Sequence, residues 1–156
     1  KNAIERKIKR YMELTPSKPA MMLVIDLDNF KHINDTFGHA YGDAVLRLMG
    51  ECIRSNFRED DYKGRFGGDE FVVFLPGIDD KQQVVTYVNN LVEMMKAHVR
   101  TPESANPVHG SIGIALYPKH ASTYEELFKK ADEALYASKE RGKDRYTFYI
   151  SKEVLK

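Results

Sequence analysis

Arg65-Phe66-Gly67-Gly68-Asp69-Glu70-Phe71 sets two glycines and two carboxylates between two apolar runs, Tyr62 to Phe66 and Phe71 to Leu75. Paired glycines between strand-like runs mark a tight hairpin turn, because glycine takes up positive φ at no steric cost. A turn alone does not account for Asp69 and Glu70, since an ordinary hairpin resumes with β-branched or aromatic residues. A second acidic cluster follows the apolar run Met21 to Ile25, as Asp26-Leu27-Asp28. Two strands thus deliver acids to one end of a sheet. That is a common way to hold a hard divalent cation, which prefers oxygen ligands and keeps part of its hydration shell. Magnesium together with a nucleotide fits such a site, although this spacing by itself names no reaction.

The elements that must carry these acids can be read along the chain. Ala3 to Leu14 has helical periodicity, and Thr15-Pro16-Ser17-Lys18-Pro19 separates it from the first strand. A helix is expected from about His39 to Phe57, with Val45, Leu48, Met49, Cys52 and Ile53 on its apolar stripe. Asp79-Asp80 ahead of Gln82-Gln83 can cap a helix carrying Val84, Val88, Leu91, Val92 and Met95 on one face. Thr101 to Pro107 reads as a loop and Val108 to Tyr117 as a strand. Thr123-Tyr124-Glu125-Glu126 is a capping box opening a helix that Gly142 should end, and Arg145 to Ile150 closes the sheet. Strands and helices mix without a strict βαβ repeat, which predicts an α+β fold with a mainly antiparallel central sheet flanked by helices.

At 156 residues, 42% hydrophobic and 30% charged, the chain has the make-up of a single domain, and 1–156 is read as one unit. It contains no long apolar run and no charged-then-apolar leader, so a cytoplasmic setting is expected, with membrane anchoring of a longer protein left open. The lone Cys52 reads as a small packed hydrophobe. A net charge of +1 argues against binding of a nucleic acid polymer, and the five histidines lack zinc spacing.

The match of motifs goes further. Gly67-Gly68-Asp69-Glu70-Phe71, the run Asp26-Leu27-Asp28-Asn29-Phe30-Lys31-His32-Ile33-Asn34-Asp35, then Gly38-His39 and Gly42-Asp43, resemble the GGDEF family, the diguanylate cyclases. Ser111 to Ala115 and Ala131 through Lys139 extend the resemblance over nearly the whole chain. It implies a fold similar to adenylyl cyclase and polymerase palm domains. It also implies condensation of two GTP molecules into cyclic di-GMP with release of two pyrophosphates, at the interface of two antiparallel copies. By the same resemblance, Asp26, the backbone carbonyl of Leu27 and Asp69 would hold Mg2+, with Mn2+ as an alternative. Asp69 would also serve as general base beside Glu70, and Lys31 would stabilise charge on the transferring phosphoryl group.

Asn34, His39 and Asp43 correspond to positions that bind the substrate and its base. A carboxylate at Asp43 can accept from both N1–H and the exocyclic amine of guanine, whereas adenine would leave it unpaired. Lys139 and Lys143, four apart, would lie on one helix face and reach the β and γ phosphates. Arg58 and Asp61, with five residues between Asp61 and Gly67, are similar to the family's product-inhibition site for cyclic di-GMP. Two departures stand out: Phe66 where Tyr is commonest, and Lys143 where Arg is more frequent, which loses a bidentate fork. The chain opens just inside the family's usual start, so an upstream sensor and the linker that pairs two copies are expected outside it. The alternatives are a catalytically silent receptor for GTP or cyclic di-GMP, and a cyclase making another nucleotide product.

Overall fold

The unbroken apolar run from Ala20 to Ile25 forms most of strand β1 (Ala20–Leu27), and every residue in it is buried. Both faces of such a strand must be covered, which places it in the middle of a sheet. The computed structural model describes residues 2–99 and 108–150, and shows that arrangement. Strands β2 (Tyr62–Arg65), β3 (Glu70–Pro76), β4 (Gly110–Tyr117) and β5 (Tyr146–Phe148) join β1 in the order β2-β3-β1-β4-β5. All pairings are antiparallel except β4 with β5. The expected α+β architecture with a mainly antiparallel sheet is therefore present.

Helices α1 (Asn2–Leu14), α2 (Phe30–Phe37), α3 (His39–Asn56), α4 (Lys81–His98) and α5 (Tyr124–Glu140) complete the order. Alternation along β1 divides the core in two. Met21, Leu23, Ile25 and Leu27 pack with Val45, Met49 and Ile53 of α3 and with Val84, Val88 and Leu91 of α4. Ala20, Met22 and Val24 pack with Ile4, Ile8 and Met12 of α1 and with Leu127, Ala131 and Leu135 of α5. The period of two then carries a consequence past the core, because Asp26 falls on the α1/α5 side.

The predicted caps are in place. Asp80 accepts from Gln82 N at 2.9 Å and Thr123 Oγ1 from Glu126 N at 3.2 Å, while Gly142 has a φ of +116° just after α5. Helix α2 was not anticipated from the sequence; it joins α3 through Gly38 at φ +92°. One expectation needs correction. Lys143 does not share a helix face with Lys139, because α5 stops at Glu140 and Lys143 lies in a left-handed turn beyond it. The loop expected over Thr101 to Pro107 lies outside the described residues. Among the described residues no helix is long and apolar enough to cross a membrane.

Candidate functional site

The glycine pair makes the turn that the sequence called for. Phe66 N donates to Glu70 O at 2.7 Å and Glu70 N to Gly67 O at 3.1 Å, closing the loop between β2 and β3. Gly67 needs its freedom, with φ at +103°. Glu70 is then the first residue of β3 and stands opposite Asp26 in the β1–β3 ladder, while Leu27 N donates to Asp69 O at 3.3 Å. The two acidic clusters of the sequence thereby meet at one end of the sheet.

Asp26 is the electrostatic centre of this end. Its Oδ2 accepts from Lys139 Nζ at 2.8 Å, and its Oδ1 is buried with no hydrogen-bond partner. Burial, followed by the nearby Asp69 carboxyl, pushes its pKa up to about 6, against the opposing pull of Lys139. Two carboxyl groups held this close in a half-dry setting disfavour double ionisation. A divalent cation would reverse that balance, and the orphaned Asp26 oxygen fits one. Among the described residues no group of three or more His, Cys, Asp or Glu side chains is gathered to hold a metal. The side-chain oxygens available to a cation there are those of two carboxylates, Asp26 and Asp69, and a hard cation would complete its shell with backbone, water or phosphate oxygens.

Asp28, two residues on, is diverted from this pair. It is buried, and its carboxylate accepts from Ser111 Oγ at 2.6 Å and from Asp144 N at 2.9 Å. Its own N–H donates to His109 O at 2.9 Å. The turn it grips carries three successive positive φ angles, at Gly142, Lys143 and Asp144. Lys143 Nζ donates to Asn29 Oδ1 at 2.9 Å, and His109 Nδ1 lies 3.2 Å from Asp144 Oδ1. Sequence reasoning passed over Ser111, His109 and Asp144 as functional neighbours, although Ser111 stood in a quoted motif.

Helices α2 and α3 line the adjoining surface. Lys31, His39 and Asp43 are exposed on them, and Asn34 is half-buried. A Cβ on Gly42 would overlap Asn34 Oδ1, so this glycine makes the space in which the Asn34 amide sits. The four residues occupy one helical hairpin soon after β1, the strand that carries Asp26.

Arg58 and Asp61 lie apart from this group, near the far end of β3. Arg58 binds Asp61 Oδ1 through Nε at 3.0 Å and through its terminal nitrogen at 2.7 Å, and also donates to Pro76 O at 2.9 Å. Asp61 is buried, which makes this a built turn rather than a loose surface ion pair. Glu70 to Pro76 spans roughly 20 Å of strand, so the acid pair and the Arg58 turn are separate places.

Residues 1–145 match the family model for the diguanylate cyclase GGDEF domain. The chain is 40% identical over 129 residues to the diguanylate cyclase DosC of Escherichia coli K12, covering 81% of this chain and 28% of that protein. It is also 40% identical over 123 residues to the diguanylate cyclase TpbB of Pseudomonas aeruginosa, covering 78% and 28%. It therefore spans little more than a quarter of the length of these relatives. Among solved structures, the GGDEF domain of YfiN (TpbB) from Pseudomonas aeruginosa superposes with a TM-score of 0.88 at 34% identity, covering 97% of this chain and 96% of that one. The GGDEF domain of DgcB from Caulobacter crescentus, solved in complex with c-di-GMP, superposes at 0.85 with 27% identity, covering 96% and 90%.

Proposed function

Since the chain belongs to the diguanylate cyclase GGDEF domain family, we propose that it condenses two GTP molecules into cyclic di-GMP, one bound to each of two facing copies. The observation that carries this reading is the orphaned Asp26 oxygen beside Asp69 at the end of β1. It is a cation site built from two strands, with the α2–α3 helical hairpin next to it for a base. A divalent metal bound there, magnesium or manganese, would offset the charge that builds on phosphate oxygens during an in-line displacement. Asp69 accepts the proton of the 3′-hydroxyl, with Glu70 beside it. That oxygen forms its bond to the α-phosphorus of the other GTP as the bond to pyrophosphate breaks, and the second copy repeats the step.

Lys31, exposed on the first turn of α2, supplies a compact ammonium to the transferring phosphoryl group. Asn34 and Asp43 read the guanine edge, with His39 adjoining. Lys139 and Lys143 carry the β and γ phosphates, and Lys139 exchanges its Asp26 contact for that duty. Product binds back at Arg58 and Asp61, whose distance from the acid pair makes the inhibition indirect.

Each copy holds only one GTP, so turnover requires a homodimer. An upstream sensor in the longer protein would act by aligning two copies, through proximity and orientation alone. The test is chromatography of the products formed from GTP and magnesium over a wide range of protein concentration. Cyclic di-GMP formed with more than first-order dependence on protein is expected. Absence of product even after enforced dimerisation would leave a GTP or cyclic di-GMP receptor in its place.

A further inference from the structure

We propose that Asp28 is a positioning residue whose buried carboxylate holds the turn after α5 in its left-handed form, and so fixes Lys143, whose Nζ reaches Asn29 just past β1, where it can meet the nucleotide's triphosphate. The inference rests on the reading of the chain as a GTP-using enzyme. Asp28 is spaced like a metal ligand, but both of its oxygens are engaged within the protein, by Ser111 Oγ and by Asp144 N. Bonds of this kind to an ionised acceptor are the strong ones, and a buried carboxylate without them would be costly.

What they hold is a conformation the turn would not choose. Lys143 and Asp144 have φ of +64° and +49°; aspartate tolerates that left-handed region, but a lysine seldom enters it. Residues in such regions persist where the surroundings over-determine them, and they collect at ligand clamps. Here the surroundings are Asp28 on the Asp144 N–H, Ser138 O accepting from Lys143 N at 3.0 Å, and Arg145 Nε donating to Lys143 O at 2.9 Å. Asp28 comes from the strand end that carries Asp26, as does Asn29, which meets the Lys143 side chain, but Asp28 is the one that holds the turn's backbone. It therefore sets the distance between the two parts of the site, the acids on β1 and the cation after α5.

The experiment measures equilibrium binding of 3′-deoxy-GTP with magnesium, which lacks the attacking hydroxyl, and of GMP, which lacks the outer phosphates. Asp28→Ala should weaken the triphosphate roughly tenfold and GMP less than about twofold, as Lys143→Ala should. The double variant should bind no more weakly than Lys143→Ala alone, because both changes remove the same contact. Asp28→Asn can still accept from Asp144 N and donate to Ser111 Oγ, and should return affinity to within about threefold of the original.

Equal losses for GMP and the triphosphate, or additive losses in the double variant, would overturn the inference. Should Asp28→Ala fail to fold, Ser111→Ala carries the test with a triphosphate-selective loss of about threefold, and unchanged affinity overturns it. A wild-type chain that binds 3′-deoxy-GTP but forms no cyclic product from GTP defeats the cyclase reading and leaves the role of Asp28 standing. A wild-type chain that does not bind the triphosphate removes both.

Discussion

At the scale of single residues, the proposed mechanism makes its strongest demand on Asp69, asked both to share a cation with Asp26 and to take a proton. Asparagine keeps its shape and loses both functions, so Asp69→Asn should lower turnover of GTP by about a thousandfold or more. Binding of cyclic di-GMP should persist in that variant, because the proposed product site at Arg58 and Asp61 sits at the other end of β3. Calorimetry with the product alongside a turnover assay reads both; retained turnover would refute the assigned base. Gly42 makes the opposite kind of prediction. Alanine inside a helix is favoured over glycine by about 1 kcal/mol, and the atom it would overlap is the movable end of Asn34. Gly42→Ala should thus leave the melting temperature unchanged or slightly raised, yet increase KM for GTP by roughly tenfold as the Asn34 amide is driven from its seat. A lowered melting temperature with unchanged KM would show that Asn34 does not touch the base.

Between elements, the contact that decides the geometry of the site is α5 against β4. A Cβ on Gly113 would run into Ala131 O and the backbone of Leu135, which cannot rotate away as a side chain can. Gly113→Ala should cost about 3 kcal/mol in denaturant unfolding, and should lower activity in step as α5 lifts Lys139 from Asp26. This packing was invisible in the sequence, where Gly113 stood only as part of a motif. The elements with long apolar stripes, α3, α4 and α5, were legible because periodicity over 17 or 18 residues leaves little choice. Helix α2, with eight residues and Ile33 as its buried residue, lacks that signal and takes its stability from packing. The acid pair was legible because strand alternation and a hairpin fix it locally. The role of Asp28 was not, since its partner Asp144 is 116 residues away and the turn between them obeys no period. The same turn explains why Lys143, placed by helical spacing, left the helix face assigned to it.

For the molecule as a whole, a buried histidine ties stability to pH. His120 lies in the connection between β4 and α5, accepts from Leu116 N through Nδ1 at 2.9 Å, and must be neutral to do so. Burial, with Lys119, Lys81 and Lys130 nearby, lowers its pKa to about 4 from an ordinary 6.5. Between those values the unfolded chain binds a proton that the folded chain refuses. The contribution is therefore complete above pH 6.5, is lost as pH falls toward 4, and changes no further below that. The full shift would correspond to about 3 kcal/mol, and screening from the solvent side reduces it to about 1–2 kcal/mol. Asp26 acts in the other sense: with its pKa raised to about 6, the folded chain takes up a proton early and gains stability as pH drops through that value. The two effects oppose one another between pH 4 and 6, so a stability profile of the unaltered chain would look flatter than either. Comparison with His120→Asn, whose amide oxygen can still accept from Leu116 N, separates them. The variant should gain stability relative to the original as pH is lowered from 6.5 to 4, with the difference levelling below. Parallel urea-unfolding profiles across that window would show that His120 is free to ionise in the folded protein.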